Sequence, residues 1–127
     1  MKVLIADDDI ISQKIMKSIC VRLGYKVVTT ADGQEALDAF KRYPVRIIIS
    51  DWMMPKLDGL ALCQEVRKIP DKDYTFFFLI TGRRKSIKDF SLAREAGADD
   101  FIYKPLDFHV FRNQMKVAER MLGLIKE

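Results

Sequence analysis

The chain has 127 residues, 49% of them hydrophobic and 31% charged, with a net charge of +4. That length suits one domain able to bury roughly two-thirds of its unfolded surface. The composition is that of a soluble globular protein, no apolar run approaches a membrane span, and the mild charge shows no aromatic-interleaved Lys/Arg cluster that would argue for direct nucleic-acid binding.

In chain order, Lys2–Ala6 (KVLIA) reads as a strand, followed by the acidic turn Asp7-Asp8-Asp9. A helix is expected over Ile11–Leu23, stopped by Gly24, with Asp9 as a cap or solvent-facing charge. Lys26–Thr30 reads as the second strand, and Asp32 followed by Glu35 caps a helix over Gln34–Arg42. Arg46–Ser50 (RIIIS) is apolar on both alternate sets, the pattern of a strand buried on both faces, and Asp51 follows it. The segment MPKLDG is a loop, with Asp58 capping a helix over Leu60–Ile69. Phe76–Ile80 (FFFLI) is the fourth strand and ends at Thr81. The run Arg83-Arg84-Lys85, with Lys88, reads as a solvated basic face. Ser86 and Asp89 cap a helix over Ile87–Ala96, closed by Gly97. Phe101–Tyr103 is the fifth strand, ahead of Lys104-Pro105. A long helix is expected over Phe108–Ile125, with Phe108, Phe111, Met115, Ala118, Leu122 and Ile125 at heptad spacing. Phe108 and Phe111 are expected against the sheet; Leu122 and Ile125 are expected beyond the core, as a partner seam.

Strict alternation of strands and helices implies an α/β fold with a parallel sheet covered on both faces. In such sheets ligands bind beyond the carboxyl ends of the strands. The first strand ends in Asp7-Asp8, the third in Asp51, the fourth in Thr81 and the fifth in Lys104, so these side chains should converge on one edge. Oxygen donors without a His/Cys set favour Mg²⁺ over zinc, which leaves the lone His109 as a surface or helix-start residue. A metal, an ammonium and a hydroxyl around a carboxylate suit phosphoryl transfer, with Asp51 as nucleophile. Cys20 and Cys63 form no CxxC pair and read as buried thiols of a reducing compartment, which points to a cytoplasmic protein.

The segments VLIADDD, IIISDWMMPKLDG, FFFLITG and AGADDFIYKP, in that order, closely resemble the receiver domain of two-component response regulators across nearly the whole chain. The resemblance implies a single flavodoxin-like domain over residues 1–127, with strand order 2-1-3-4-5 and no effector domain. It implies that Asp51 accepts a phosphoryl group from a histidine kinase or phosphotransfer protein, in a signalling protein that acts only on itself. It places Mg²⁺ on Asp7, Asp8, Asp51 and the backbone carbonyl of Met53, and the phosphoryl oxygens on Thr81 and Lys104. It makes Phe101 the switch aromatic beside Thr81 and Lys104-Pro105 a cis peptide. In the family, phosphorylation commonly remodels the face of the fourth helix, fifth strand and fifth helix; with the apolar seam this leads to an expectation of a homodimer through that face or through the C-terminal helix, and the lack of an apolar span to an expectation of no membrane partner. Met53 and Arg83 flank the site; Met53 has no side-chain group to orient an in-line water and Arg83 donates without accepting, which leads to an expectation of slow self-dephosphorylation.

Two other readings fit parts of the chain. A haloacid-dehalogenase-like phosphatase would use Asp7 and Asp9 as a DxD pair, although Ile11 stands where Thr or Val is expected, no segment is available for a cap domain and Asp51 is left without a role. A flavodoxin-like FMN carrier would need a hydroxyl-rich phosphate loop, and none is visible.

Overall fold

The computed structural model describes residues 1–70, 73–82 and 85–126, with the side chains of 124–126 left undescribed. Five strands alternate with five helices: β1 (Lys2–Ala6), α1 (Ile10–Arg22), β2 (Lys26–Thr30), α2 (Gly33–Arg42), β3 (Ile47–Asp51), α3 (Gly59–Lys68), β4 (Phe76–Thr81), α4 (Ile87–Ala96), β5 (Asp100–Tyr103) and α5 (Phe108–Lys126). All strand pairs are parallel, and the sheet order is β2-β1-β3-β4-β5.

The two-residue period of the strands explains why the sheet is covered on both sides. Val3, Ile5, Ile47, Ile49, Phe76, Phe78 and Ile80 point to one face, where Met16 and Cys20 of α1 and Phe111, Met115, Ala118 and Leu122 of α5 cover them. Leu4, Ile48, Phe77 and Leu79 point to the other face, under α2, α3 and α4. The free thiols Cys20 and Cys63 are buried, one in each layer.

Helix starts and stops follow local chemistry. Asp9, Asp32 and Asp58 are N-caps whose carboxylates accept from the amides of Ser12, Glu35 and Ala61. Ser86 and Asp89 form a reciprocal capping box. Gly97 closes α4 at φ 107°, a conformation that penalises any Cβ. Gly59 answers a different need, close approach: a Cβ there would sit 2.4 Å from the Asp51 carbonyl oxygen. The first turn of α3 therefore rests directly against the end of β3.

Three expectations about α5 and β3 change. Leu122 is 2% exposed and belongs to the core with Met115 and Ala118, because α5 still overlies the sheet at that point. Phe108 is only partly buried and is covered by Arg22, whose guanidinium lies 4.4 Å from the ring centre. Ile125 and Arg83 lie outside the described side chains. Among the described side chains, the large apolar residues that α5 leaves exposed are Val110, Val117 and Met121, a stripe offset from the one read off the sequence. β3 runs one residue later than expected, so Asp51 is its last residue rather than a residue beyond it.

Candidate functional site

The carboxyl ends of β1, β3, β4 and β5 bring Asp7, Asp8, Asp51, Thr81 and Lys104 to one edge of the sheet. β3 and β4 are in register at Asp51 and Ile80, and β4 and β5 at Thr81 and Tyr103. The Trp52 amide donates to the Ile80 carbonyl at 2.9 Å and the Lys104 amide to the Thr81 carbonyl at 3.0 Å, so the sheet's hydrogen bonding continues up to the site. On the β1 side, Gln13 donates to the carbonyls of Asp7 (3.1 Å) and Thr30 (3.0 Å), pinning the start of α1 to two strand ends.

Oxygens from Asp7, Asp8 and Asp51 all lie within 4.8 Å of one another. Asp7 is 1% exposed, Asp51 is half-buried and Asp8 is open to solvent. Lys104 reaches into this group, its Nζ 3.1 Å from Asp51 Oδ2 and 3.5 Å from Asp7 Oδ2. The Asp9 amide donates to Asp7 Oδ1 at 2.9 Å and the Met53 amide to Asp51 Oδ1 at 3.3 Å. Burial pushes the Asp7 carboxyl above its ordinary value, and the Asp51 charge adds to this against the Asp9 amide and the Lys104 ammonium. For Lys104, burial opposes the charged form, but the hydrogen bond and charge of Asp51, with those of Asp7, outweigh it and raise the ammonium. A buried carboxylate beside a second carboxylate is a costly arrangement that a cation relieves. One lysine serves two acids here, and an all-oxygen donor set open on the Asp8 side fits a hard divalent cation such as Mg²⁺.

Thr81 is 3% exposed at the end of β4. Phe101 is buried rather than turned out to solvent. Its ring is stacked on Trp52, with Phe90 of α4 edge-on to both. Lys104-Pro105 is cis. Met53 is 62% exposed, on the rim. Asp9 does not join the acidic group: its carboxylate caps α1 and takes the Ser12 hydroxyl at 2.7 Å, which removes the DxD pairing with Asp7.

The residues that reading the sequence missed are Trp52 and Phe90. Trp52 is the chain's one tryptophan and adjoins Asp51. Its place in the sequence was a usable signal; that of Phe90, inside an amphipathic helix, was not. Lys85 joins them, its Nζ 4.5 Å from the Trp52 ring centre.

Comparison with known proteins agrees with this geometry. The family model described as response regulator receiver domain matches residues 3–116. A probable transcriptional regulator ycf27 of Guillardia theta is 42% identical over 104 residues, covering 82% of this chain and 39% of that protein. The chain thus spans about two-fifths of the length of the ycf27 relatives it matches. The probable chemotaxis protein CheY of Rhizobium etli is 33% identical over 129 residues, covering 98% of this chain and 95% of that one. Among solved structures, Vibrio cholerae CheY4 superposes with a TM-score of 0.86 at 27% identity, over 92% of this chain and 97% of its own. The signal receiver domain of a Syntrophus aciditrophicus histidine kinase superposes at 0.83 and 31% identity, over 99% and 92%. A doubly wound five-stranded sheet whose strand ends gather three aspartates, a threonine and a lysine, matched by a family model over most of its length, makes this chain a member of the response regulator receiver domain family of two-component signalling.

Proposed function

We propose that this domain takes a phosphoryl group onto Asp51 and is switched by it. The observation that carries the reading is the pairing of Lys104 Nζ with Asp51 Oδ2 at 3.1 Å, inside a group of three carboxylates. An Asp51 oxygen attacks phosphorus, the O–P bond forms, and the P–N bond of a phosphohistidine donor breaks, its electron pair leaving on the imidazole. Lys104 holds Asp51 in place beforehand and follows the incoming negative charge afterwards, moving from a carboxylate oxygen to a phosphoryl oxygen. The Thr81 hydroxyl donates to a second phosphoryl oxygen. Asp7, Asp8, Asp51 and the Met53 carbonyl would hold Mg²⁺, which supplies neutralisation of charge on the phosphoryl oxygens. The chemistry falls on the domain's own side chain, so it is a phosphoacceptor rather than an enzyme with turnover on a separate substrate. The donor is a histidine kinase or a phosphotransfer protein.

The output is read from the face of α4, β5 and α5. That face exposes Leu92, Tyr103, Val110, Val117 and Met121 around a cleft of about 480 Å³ that Tyr103, Pro105 and Val110 help to line. An apolar stripe of this kind suits a second copy of the domain.

The test is intact-mass spectrometry after incubation with acetyl phosphate and Mg²⁺. One phosphoryl adduct is expected, absent in Asp51→Asn and strongly reduced in Lys104→Ala. An adduct that persists in Asp51→Asn overturns the assignment.

A further inference from the structure

The chain's positive charge is concentrated on one side. Helices α1 and α5 cover the same face of the sheet and expose Lys14, Lys17, Arg22, Arg112, Lys116 and Arg120. The only described carboxylate on these two helices, Glu119, is engaged by the Tyr25 hydroxyl, which donates to it at 2.7 Å. Among the described residues none of those six cations forms an ion pair. The cluster is invisible along the chain because its two halves are about ninety positions apart and meet only in the fold.

Where α1 turns into β2, this basic face contains a cleft of about 390 Å³. Tyr25, Phe108 and Met115 give it aromatic and apolar walls. Arg22, Arg112 and Lys116 supply cations from two separate elements. The Arg22 guanidinium already lies over the Phe108 ring, 4.4 Å from its centre. Glu119, held by the Tyr25 hydroxyl, is the one carboxylate among the described lining residues, and none of the carboxylates of the Asp51 site lines this cleft.

The chemistry of the walls narrows the occupant. A hydrocarbon would leave three cations facing the single Glu119 carboxylate, and a simple inorganic anion would leave the rings unused. A ligand with a flat ring and a phosphate tail satisfies both. The ring lies against Phe108, Tyr25 or the Arg22 plane, and the phosphates meet Arg112 and Lys116. The cleft volume is in the range of small-molecule sites and accommodates one such unit rather than a strand. We propose that the α1–α5 cleft binds a free nucleotide, independently of Asp51.

The experiment titrates ADP into the ¹⁵N-labelled domain at low ionic strength with EDTA present, so that no metal occupies the carboxylate site, alongside calorimetry. Saturable one-site binding is expected, with amide shifts centred on Tyr25, Phe108 and Arg112. Arg112→Glu/Lys116→Glu should weaken it by roughly tenfold or more, the size of losing charge-assisted contacts. Phe108→Ala should weaken ADP but not pyrophosphate, and Asp51→Asn should leave ADP affinity unchanged. Three results would overturn the proposal. One is no saturation. Another is pyrophosphate binding as tightly as ADP with Phe108→Ala silent, which marks a general anion patch. The third is affinity for oligothymidylate that rises with its length and exceeds that for ADP, which marks a nucleic-acid strand.

Discussion

Trp52 stacks on Phe101, their ring centres 6.1 Å apart and their planes 18° from parallel. Trp52 follows Asp51 directly in the chain, and Phe101 stands three residues before Lys104. One aromatic contact therefore joins the strand that ends in Asp51 to the strand that leads into Lys104, and Phe90 extends it into α4 at 4.7 Å from Phe101.

Since the chain has a single tryptophan, that contact can be read optically. Beryllofluoride with Mg²⁺ should change the Trp52 emission intensity, because Trp52 follows Asp51 directly and its ring is in contact with both Lys85 and Phe101. Asp51→Asn should show little change under the same conditions. Equal responses from the two proteins would disconnect the aromatic stack from the carboxylate site.

Mg²⁺ should raise the melting temperature of the parent domain by mass action. The rise should be smaller in Asp51→Asn and smaller still in Asp7→Asn/Asp51→Asn. Metal-free Asp51→Asn should melt slightly above the parent, since it relieves repulsion between carboxylates held within 4.8 Å. Differential scanning fluorimetry over a Mg²⁺ series checks this, and identical rises in all three proteins would remove these aspartates from the metal site.

The exposed and buried stripes of α5 make opposite predictions. Val117→Glu/Met121→Glu should fold normally and lose phosphorylation-dependent self-association in analytical ultracentrifugation. Leu122→Ala should instead lower stability by about 2–4 kcal/mol, the usual cost of emptying a core leucine site, and leave association of the folded fraction intact. A stable Leu122→Ala protein would contradict its burial in the α5 layer.

Alkaline pH should weaken the fold. Burial pushes the thiols of Cys20 and Cys63 from 9.0 up to about 12. Burial and the bond to Asp99 push the Tyr74 hydroxyl from 10.0 up to about 12, and burial with the bond to Glu119 raises Tyr25 as well. The folded state thus holds protons that the unfolded chain releases. The stability from these groups is complete below pH 9 and falls as pH rises towards 12. Urea midpoints at about pH 8 and about pH 10.5 should differ in that direction. Thiol labelling by an aromatic disulfide should be slow at pH 8 without denaturant.

At the opposite end of the sheet, Arg67 donates to the carbonyls of Gly97 (2.8 Å) and Thr75 (2.7 Å) and pairs with Asp99 at 2.9 Å. Arg67→Ala leaves those half-buried acceptors short of donors and should cost about 2–3 kcal/mol in urea unfolding. Arg67→Lys should recover little of this, because one ammonium cannot span three directions.

The topology and the site were legible for one reason: β1, β3 and β4 are apolar on both alternate sets, and a polar residue marks where β1, β3, β4 and β5 stop. Asp7, Asp51, Thr81 and Lys104 sit at such breaks, and parallel strands carry them to one edge. The caps at Asp32, Asp58 and Ser86 were legible because capping is local chemistry. The end of α5 was not. A heptad of apolar residues looks the same whether the sheet beneath it continues or stops, and Leu122 shows that it continues. The Trp52–Phe90–Phe101 contact and the basic cleft were hidden for the opposite reason, being made of residues far apart in the chain.

Gly59 gives the site a fixed jaw and a free one. With 2.4 Å between its missing Cβ and the Asp51 carbonyl, the start of α3 is seated directly against the end of β3, which has no room to move towards it. On the other flank, Trp52 and Phe101 meet Phe90 of α4 edge-on, ring contacts worth only about 0.5–1.5 kcal/mol each beyond their burial. If Asp51 takes a phosphoryl group as proposed, the added charge meets a closed flank at α3 and a more loosely packed one at α4, so displacement is expected towards α4 before any partner binds.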